Sequence, residues 1–263
     1  MRLPVVSFTG SDKVGFEIQK AVPSKHITLE LGGNAAAVVL EDWNSEKDMT
    51  WAASRIATFA NYQAGQSCIS VQRVLIHDSI FEEMTNRIVA AVAALPNGDP
   101  RDEKTVVGPM INEAAAIRVE EWVNEAIKQG GEILCGGKRI SETCFEPTVV
   151  WNPSQEAKVS KEEIFGPVVC VYPYSDRDEA INLANSLPYH FQAAVFTKDL
   201  DIAFDTVQKL NATAVMVNDH TAFRVDWMPF GGRDASGEGL GGIPYTMREM
   251  TREKLMVVKS RYL

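Results

Sequence analysis

The sequence predicts an α/β fold in which a largely parallel sheet is flanked by helices. Two observations carry this expectation. Short apolar runs of strand character alternate with segments whose apolar residues recur at helical spacing, the order that gives parallel strands joined by helical crossovers. The 263 residues are 45% hydrophobic, enough for a full core in one large or two smaller domains, and no internal repeat or low-complexity tract points elsewhere.

Residues 5–8 read as a strand that stops at Thr9-Gly10-Ser11, and Val14, Ile18 and Ala21 mark the helix that follows. Residues 25–31 alternate as a strand does, and 37–40 form another, wholly apolar one. Ser45 is placed to cap a helix running to Ala60, with Asp48 three residues on. Residues 61–70 have turn composition, Val71–His77 is a strand, and 79–95 is an amphipathic helix carrying Phe81, Met84, Ile88 and Val92. Asn97-Gly98-Asp99-Pro100 breaks the chain. Residues 112–129 are helical through Val119, Val123 and Ile127, and Gly130-Gly131 ends that helix. Strands are expected at Thr148–Trp151, 168–172, 193–197 and Ala214–Val217, with helices at 176–187 and 199–210. A glycine-rich loop covers 231–242, and 255–259 reads as a last strand.

Charge and composition narrow the function. Lys plus Arg total 26 against 35 Asp plus Glu, a net charge of -9, which argues against nucleic-acid and anionic-membrane partners. No apolar stretch reaches the roughly 20 residues that span a bilayer. The start, Met1 to Val6, lacks the apolar region and cleavage site of a secretory signal. The cysteines Cys68, Cys135, Cys144 and Cys170 form no CxxC, and His26, His77, His190 and His220 are scattered. Neither a disulfide framework nor a zinc site is signalled, so a reducing, cytoplasmic setting is expected, where one cysteine can be reactive.

Four segments carry candidate chemistry, each with an ordinary alternative. Phe8-Thr9-Gly10-Ser11 with Gly15 is a strand, a turn and a helix start, able to hold a phosphate or simply a βα turn with a serine cap. Leu29-Glu30-Leu31-Gly32-Gly33 sets one carboxylate among apolar residues, where its pKa can rise to that of a general base; otherwise it is a solvated strand end. Gly65-Gln66-Ser67-Cys68 puts a cysteine in a turn near backbone N–H groups, a thiolate nucleophile or an inert buried thiol. Glu163-Ile164-Phe165-Gly166-Pro167 follows Ser160, and Ser160-x-x-Glu163 also reads as a helix capping box.

In this order and spacing the four segments, with Pro229-Phe230-Gly231-Gly232 and Ser236-Gly237, resemble the aldehyde dehydrogenase superfamily from about Val5 to the C-terminus. The resemblance implies an aldehyde dehydrogenase-like catalytic domain and the end of a Rossmann-like cofactor domain. It divides the chain into 1–33 (remnant of the NAD(P)-binding domain), 34–245 (catalytic domain) and 246–263 (C-terminal segment with an oligomerisation strand). It implies that Cys68 attacks the aldehyde as a thiolate, that its own N–H helps hold the oxyanion, and that Glu30 activates water against the resulting thioester. Gly10, Ser11, Gly15, Leu31, Glu163 and Phe165 would meet NAD or NADP: the pyrophosphate at Gly10 and Ser11, the nicotinamide ribose at Glu163.

Residues 218–229 look like the branch of lactaldehyde, phosphonoacetaldehyde and non-phosphorylating glyceraldehyde-3-phosphate dehydrogenases. His220, Arg224 and Phe230 are the candidate substrate residues, with Arg224 or His220 meeting an anionic tail, or Arg224 paired structurally with an acid such as Asp226. The chain departs from the family pattern at Asn34 (often Lys), at Tyr189-His190-Phe191 (Tyr-Gly-Leu), at Arg233-Asp234 (an aromatic and Lys), and at Leu240-Gly241 (Arg-Glu). Relatives carry a long N-terminal portion with most of the cofactor sheet and an oxyanion-hole asparagine, so the chain is expected to be a fragment. The alternatives are a non-catalytic truncated paralogue that assembles with other chains, and a cofactor-free esterase. The expected partners are a small-molecule aldehyde and further copies of the chain, as a dimer or tetramer.

Overall fold

The computed structural model describes residues 4–262; the first three residues of the expected leader-free start, and Leu263, lie outside the described residues. The chain opens with a βαβ unit: β1 (Val5–Thr9), α1 (Asp12–Ala21) and β2 (His26–Glu30). The two strands pair in parallel, with Phe8 opposite Leu29 and Thr9 opposite Glu30. A methyl group on Gly15 would overlap the Leu31 side chain, so the glycine lets α1 lie close on the sheet. Ile27, Leu29 and Leu31 form the small core beneath it.

The chain then builds a larger layer: β3 (Ala35–Val39), α2 (Glu46–Asn61), β4 (Val71–His77), α3 (Phe81–Ala93), α4 (Glu113–Lys128), β5 (Glu132–Cys135), β6 (Thr148–Trp151) and α5 (Lys158–Lys161). It continues through β7 (Val168–Tyr174), α6 (Arg177–Ala184), β8 (Tyr189–His190), β9 (Gln192–Phe196), α7 (Leu200–Lys209) and β10 (Ala214–Val217). The seven-stranded sheet has the order β10-β9-β3-β4-β7-β6-β5. It is parallel except for β5, which runs antiparallel to β6. Successive residues of β4 alternate between two cores. Val74 and Ile76 join Ile56, Met84 and Ile88 from α2 and α3, while Leu75 joins Val119 and Val123 from α4. Both faces of the sheet are therefore covered, as a parallel sheet requires.

Ser45 caps its helix as expected, and Asn112 and Asp199 cap the helices expected to start there. Ser45 Oγ accepts the Asp48 N–H at 3.2 Å, Asn112 Oδ1 that of Ala115 at 2.9 Å, and Asp199 Oδ1 that of Ile202 at 3.0 Å. Three expectations need correction. The capping box at Ser160 does not form: α5 ends at Lys161, and Ser160 Oγ instead donates to Ser154 O at 2.7 Å and accepts from the Tyr172 hydroxyl at 2.8 Å. The glycine-rich loop contains β11 (Arg233–Asp234) and β12 (Gly237–Glu238) and leads into α8 (Ile243–Glu249). β12 pairs antiparallel with β2 and so joins the first sheet from far along the sequence. Residues 255–259 form no strand: Leu255, Met256 and Val257 are 80% exposed or more, and no strand edge of the described chain lies against them. Among the described residues no helix is long and apolar enough to cross a membrane.

Candidate active site

The small sheet ends where the larger one begins. Thr9, Glu30 and Leu31 lie at the ends of β1 and β2, whereas Cys68 and Glu163 with Phe165 lie in the turns that lead towards β4 and β7, and Tyr189 opens the short β8 just before β9. All of them line one cavity of about 630 Å³.

The cysteine turn is held by close backbone contacts. After α2 the chain takes three successive left-handed residues, Gln63 (φ 52), Ala64 (φ 56) and Gly65 (φ 69). A Cβ on Gly65 would overlap the Gly166 carbonyl, and one on Gly33 would overlap the carbonyl of Cys68 itself. Both neighbours of the turn are thus pressed on it backbone to backbone. Gln66 adds a strap, its Oε1 accepting the Ile111 N–H at 2.7 Å. Apart from its own sulfur, the Cys68 N–H finds no acceptor among the described residues, which leaves it available to an oxyanion on a carbon bonded to Sγ.

Burial first, then the Glu163 and Glu30 carboxylates, push the Cys68 thiol up to about 12, opposed by its own N–H and by Arg224. Glu30 is also raised, by burial, with the Arg224 cation pulling the other way. Glu163 is pushed up to about 7 by burial, against the Gly33 N–H that its Oε1 accepts at 2.9 Å.

Glu163 is placed by buried amides. Gln72 Nε2 donates to Glu162 O at 2.7 Å and its Oε1 accepts from Ile164 N at 3.0 Å. Asn34 Nδ2 donates to Ser160 O and Glu162 O, and Asn34 Oδ1 accepts from Arg73 Nε at 2.8 Å. Arg73, 1% exposed, also donates to Asn34 O, Leu183 O and Ala184 O. Asn34, a departure from the family pattern, is the link between this cation and the Glu163 loop.

Gly10 and Ser11 reach the cavity mouth at the start of α1. The Gly10 N–H donates to Glu30 O at 3.1 Å and Ser11 Oγ caps the helix at Val14 N, so the serine-cap reading holds and coexists with a place on the cavity wall. Phe165 sits at φ 46 and is part-exposed on the same wall. Arg118 and Trp122 line it as well, the guanidinium 4.7 Å from the indole centre. Sequence reading missed this pair, although their i, i+4 spacing on the helix was visible. Glu163 Oε2 accepts no hydrogen bond from the described residues, and a Cβ on Gly32 would lie 2.7 Å from it. A free carboxylate oxygen over bare backbone, beside the positive end of α1, fits a ribose diol and a pyrophosphate.

The substrate candidates separate. His220 is not cationic: it is 2% exposed, stacks on Phe59 with ring centres 3.3 Å apart, accepts the Ala222 N–H at 3.0 Å, and burial drives its pKa down to about 4. Arg224 forms no ion pair among the described residues, so the pairing with Asp226 is not made. Its guanidinium lies over Phe230 at 4.3 Å, and its charge is felt at both Cys68 and Glu30. Phe230 packs on Phe191 and Ile69, with Cys68 against that cluster. The departure at Tyr189-His190-Phe191 falls in a strand pair: His190 lies opposite Arg233 across β8 and β11, and its Nδ1 meets Asp234 Oδ2 at 2.6 Å. Two departures from the family pattern thus meet each other.

The model of the Aldehyde dehydrogenase family matches residues 1–256. A 3-sulfolactaldehyde dehydrogenase of Priestia aryabhattai is 40% identical over 252 residues, 96% of this chain and 52% of that protein. The crystal structure of aldehyde dehydrogenase 21 from Physcomitrella patens, in complex with the reaction product succinate, superposes with a TM-score of 0.90 at 40% identity, covering 94% of this chain and 51% of that one. Glyceraldehyde-3-phosphate dehydrogenase GapN from Methanocaldococcus jannaschii, complexed with NADP, gives 0.89 at 38% identity, covering 94% and 53%. The chain spans about half the length of the curated relatives it matches. With the ordered motifs converging on one cavity and this match over nearly its whole length, the chain belongs to the aldehyde dehydrogenase family.

Proposed function

We propose that this chain carries the nucleophile, the base and the nicotinamide-ribose contact of an NAD(P)-dependent oxidation of an aldehyde to a carboxylic acid. The observation that supports the reading is that Cys68, Glu30 and Glu163 open into a single cavity. Cys68 gives its proton up to solvent and, as thiolate, bonds through sulfur to the aldehyde carbon, and the Cys68 N–H receives the oxyanion. NAD or NADP, held by Glu163 and Phe165 with its pyrophosphate at Gly10 and Ser11, supplies the hydride acceptor when bound. Glu30 then takes a proton from water as that water attacks the Cys68 thioester; the C–S bond breaks and the acid leaves.

The substrate is proposed to carry an anionic group. Arg224, unpaired among the described residues and beside both reacting groups, supports this, as do the sulfonate, carboxylate and phosphate in the names given with the relatives. Exposed Leu255, Met256, Val257 and Val258 support association between copies of the chain.

The test is formation of reduced nicotinamide from succinate semialdehyde and from a neutral aldehyde of similar size. Turnover is expected to vanish in Cys68→Ala, and Arg224→Ala is expected to lower kcat/KM for the anionic aldehyde alone. Turnover surviving in Cys68→Ala sinks the mechanism; equal kcat/KM for both aldehydes removes the anionic substrate.

A further inference from the structure

We propose that Gly241 is a positioning residue for the hydrolytic half of the reaction: by having no side chain, it leaves the seat in which the Glu30 carboxylate rests. The inference depends on the proposed role of Glu30 and adds to it the residue that sets where the base sits.

Gly241 stands where the family pattern has a glutamate. Its backbone does not call for glycine, since it is absent from the residues with left-handed φ. What calls for glycine is space. A Cβ there would lie 2.5 Å from Glu30 Oε1 and 2.9 Å from the Phe230 carbonyl. Gly241 cannot step back to make room, because it is tied to Phe230 in both directions, Phe230 N to Gly241 O at 3.1 Å and Gly241 N to Phe230 O at 2.5 Å. Phe230 is in turn packed on Phe191, with ring centres 4.9 Å apart. Behind Glu30 there is thus a fixed wall of bare backbone. In this seat the Glu30 carboxylate, on the cavity wall, accepts no hydrogen bond from any described side chain or N–H. A methyl on the wall pushes the carboxylate off that position while leaving Cys68 untouched.

The step can be isolated without cofactor, using p-nitrophenyl acetate as the probe. Cys68 sulfur bonds to the acetyl carbon and the ester C–O bond breaks, releasing p-nitrophenolate and the thiol proton. Water then attacks the acetyl-thioester, its proton passes to Glu30, the C–S bond breaks, and acetate and the thiol are regenerated. Acetylation of Cys68 is followed by mass spectrometry and the initial burst, deacetylation by the decay of that mass. Gly241→Ala is expected to keep the burst, which also reports folding, and to slow deacetylation by about tenfold or more, within the range general bases contribute. In a Glu30→Gln background the same alanine is expected to change deacetylation by less than about twofold, because the coupled group is already gone. With Glu30→Asp, whose carboxylate is one methylene shorter and clears the methyl, the alanine is likewise expected to be nearly silent. An unchanged deacetylation rate in Gly241→Ala, or an equal loss in the Glu30→Gln background, overturns the inference. No acetyl group on Cys68 of the unmodified chain overturns the nucleophile reading and the inference with it.

Discussion

The Glu163 carboxylate accepts the Gly33 N–H at 2.9 Å, binding the loop before β7 to the crossing between the two sheets. That bond does not outweigh burial, and the group rises from 4.5 to about 7. The native state therefore holds this proton more tightly than the unfolded chain does. Stability from this group is fully present below pH 4.5 and is lost as pH climbs through 7. Glu163→Gln keeps an oxygen for Gly33 and removes the titration. Melting curves at pH 5 and pH 8 are expected to show the variant gaining on the parent at the higher pH by a few degrees, with about 2–4 °C per kcal/mol for a chain of this size. Parallel curves would falsify the assignment.

Charges of opposite sign act on Cys68, so two substitutions are expected to move its reactivity in opposite directions. Glu163 raises the thiol and Arg224 lowers it. Glu163→Gln is expected to speed iodoacetamide alkylation of Cys68 at pH 8 by about two- to tenfold, and Arg224→Ala to slow it, because a thiol pKa lower by about one leaves roughly tenfold more thiolate. Alkylation rates mapped to Cys68 by mass spectrometry decide this; a change of the same sign in both variants contradicts it.

Arg73 is a buried cation whose acceptors are all amides and carbonyls: Asn34, Leu183 and Ala184. Burial lowers its pKa only to about 10, so it stays charged at neutral pH. Arg73→Met is expected to cost about 3–5 kcal/mol in urea unfolding, since it strands those acceptors in the core. Lysine, a single point donor, is expected to recover only part of this. A loss below about 1 kcal/mol for methionine means that water serves those acceptors instead.

Gly65 answers both for conformation, at φ 69, and for room, against the Gly166 carbonyl. Gly65→Ala is expected to lose at least about 1–3 kcal/mol, the scale of a strained left-handed residue, with the overlap added. Thermal unfolding unchanged from the parent excludes a tight fit at this point.

The fold, and the meeting of Cys68 and Glu30 on one cavity, were legible in the sequence because each rests on local pattern. Ser45, Asn112 and Asp199 announce their helices through side chains that cap within three residues. The segments holding Glu30, Cys68 and Glu163 carry their glycines beside them, and those glycines are where backbone meets backbone in the site. What stayed hidden depends on contacts between distant positions. Arg73 and Gln72 sit inside an ordinary strand pattern, and only the folded chain shows them holding Asn34 and the Glu163 loop. His220 looked like a cation for the substrate until the Phe59 ring beneath it was in place. β5 was missed because its four residues lean on one neighbour at the sheet edge.

The Arg73 cluster also bears on the order in which the chain is assembled. A guanidinium gives up its water only when every replacement is ready, and here the replacements come from the start of β3 and the last turn of α6, about 110 residues further along than Arg73 itself. Until α6 has docked, β4 carries a hydrated charge that resists being covered. The central strands and that distant helix are therefore compelled to close as one cooperative unit, and the site they support is finished only when the whole layer is.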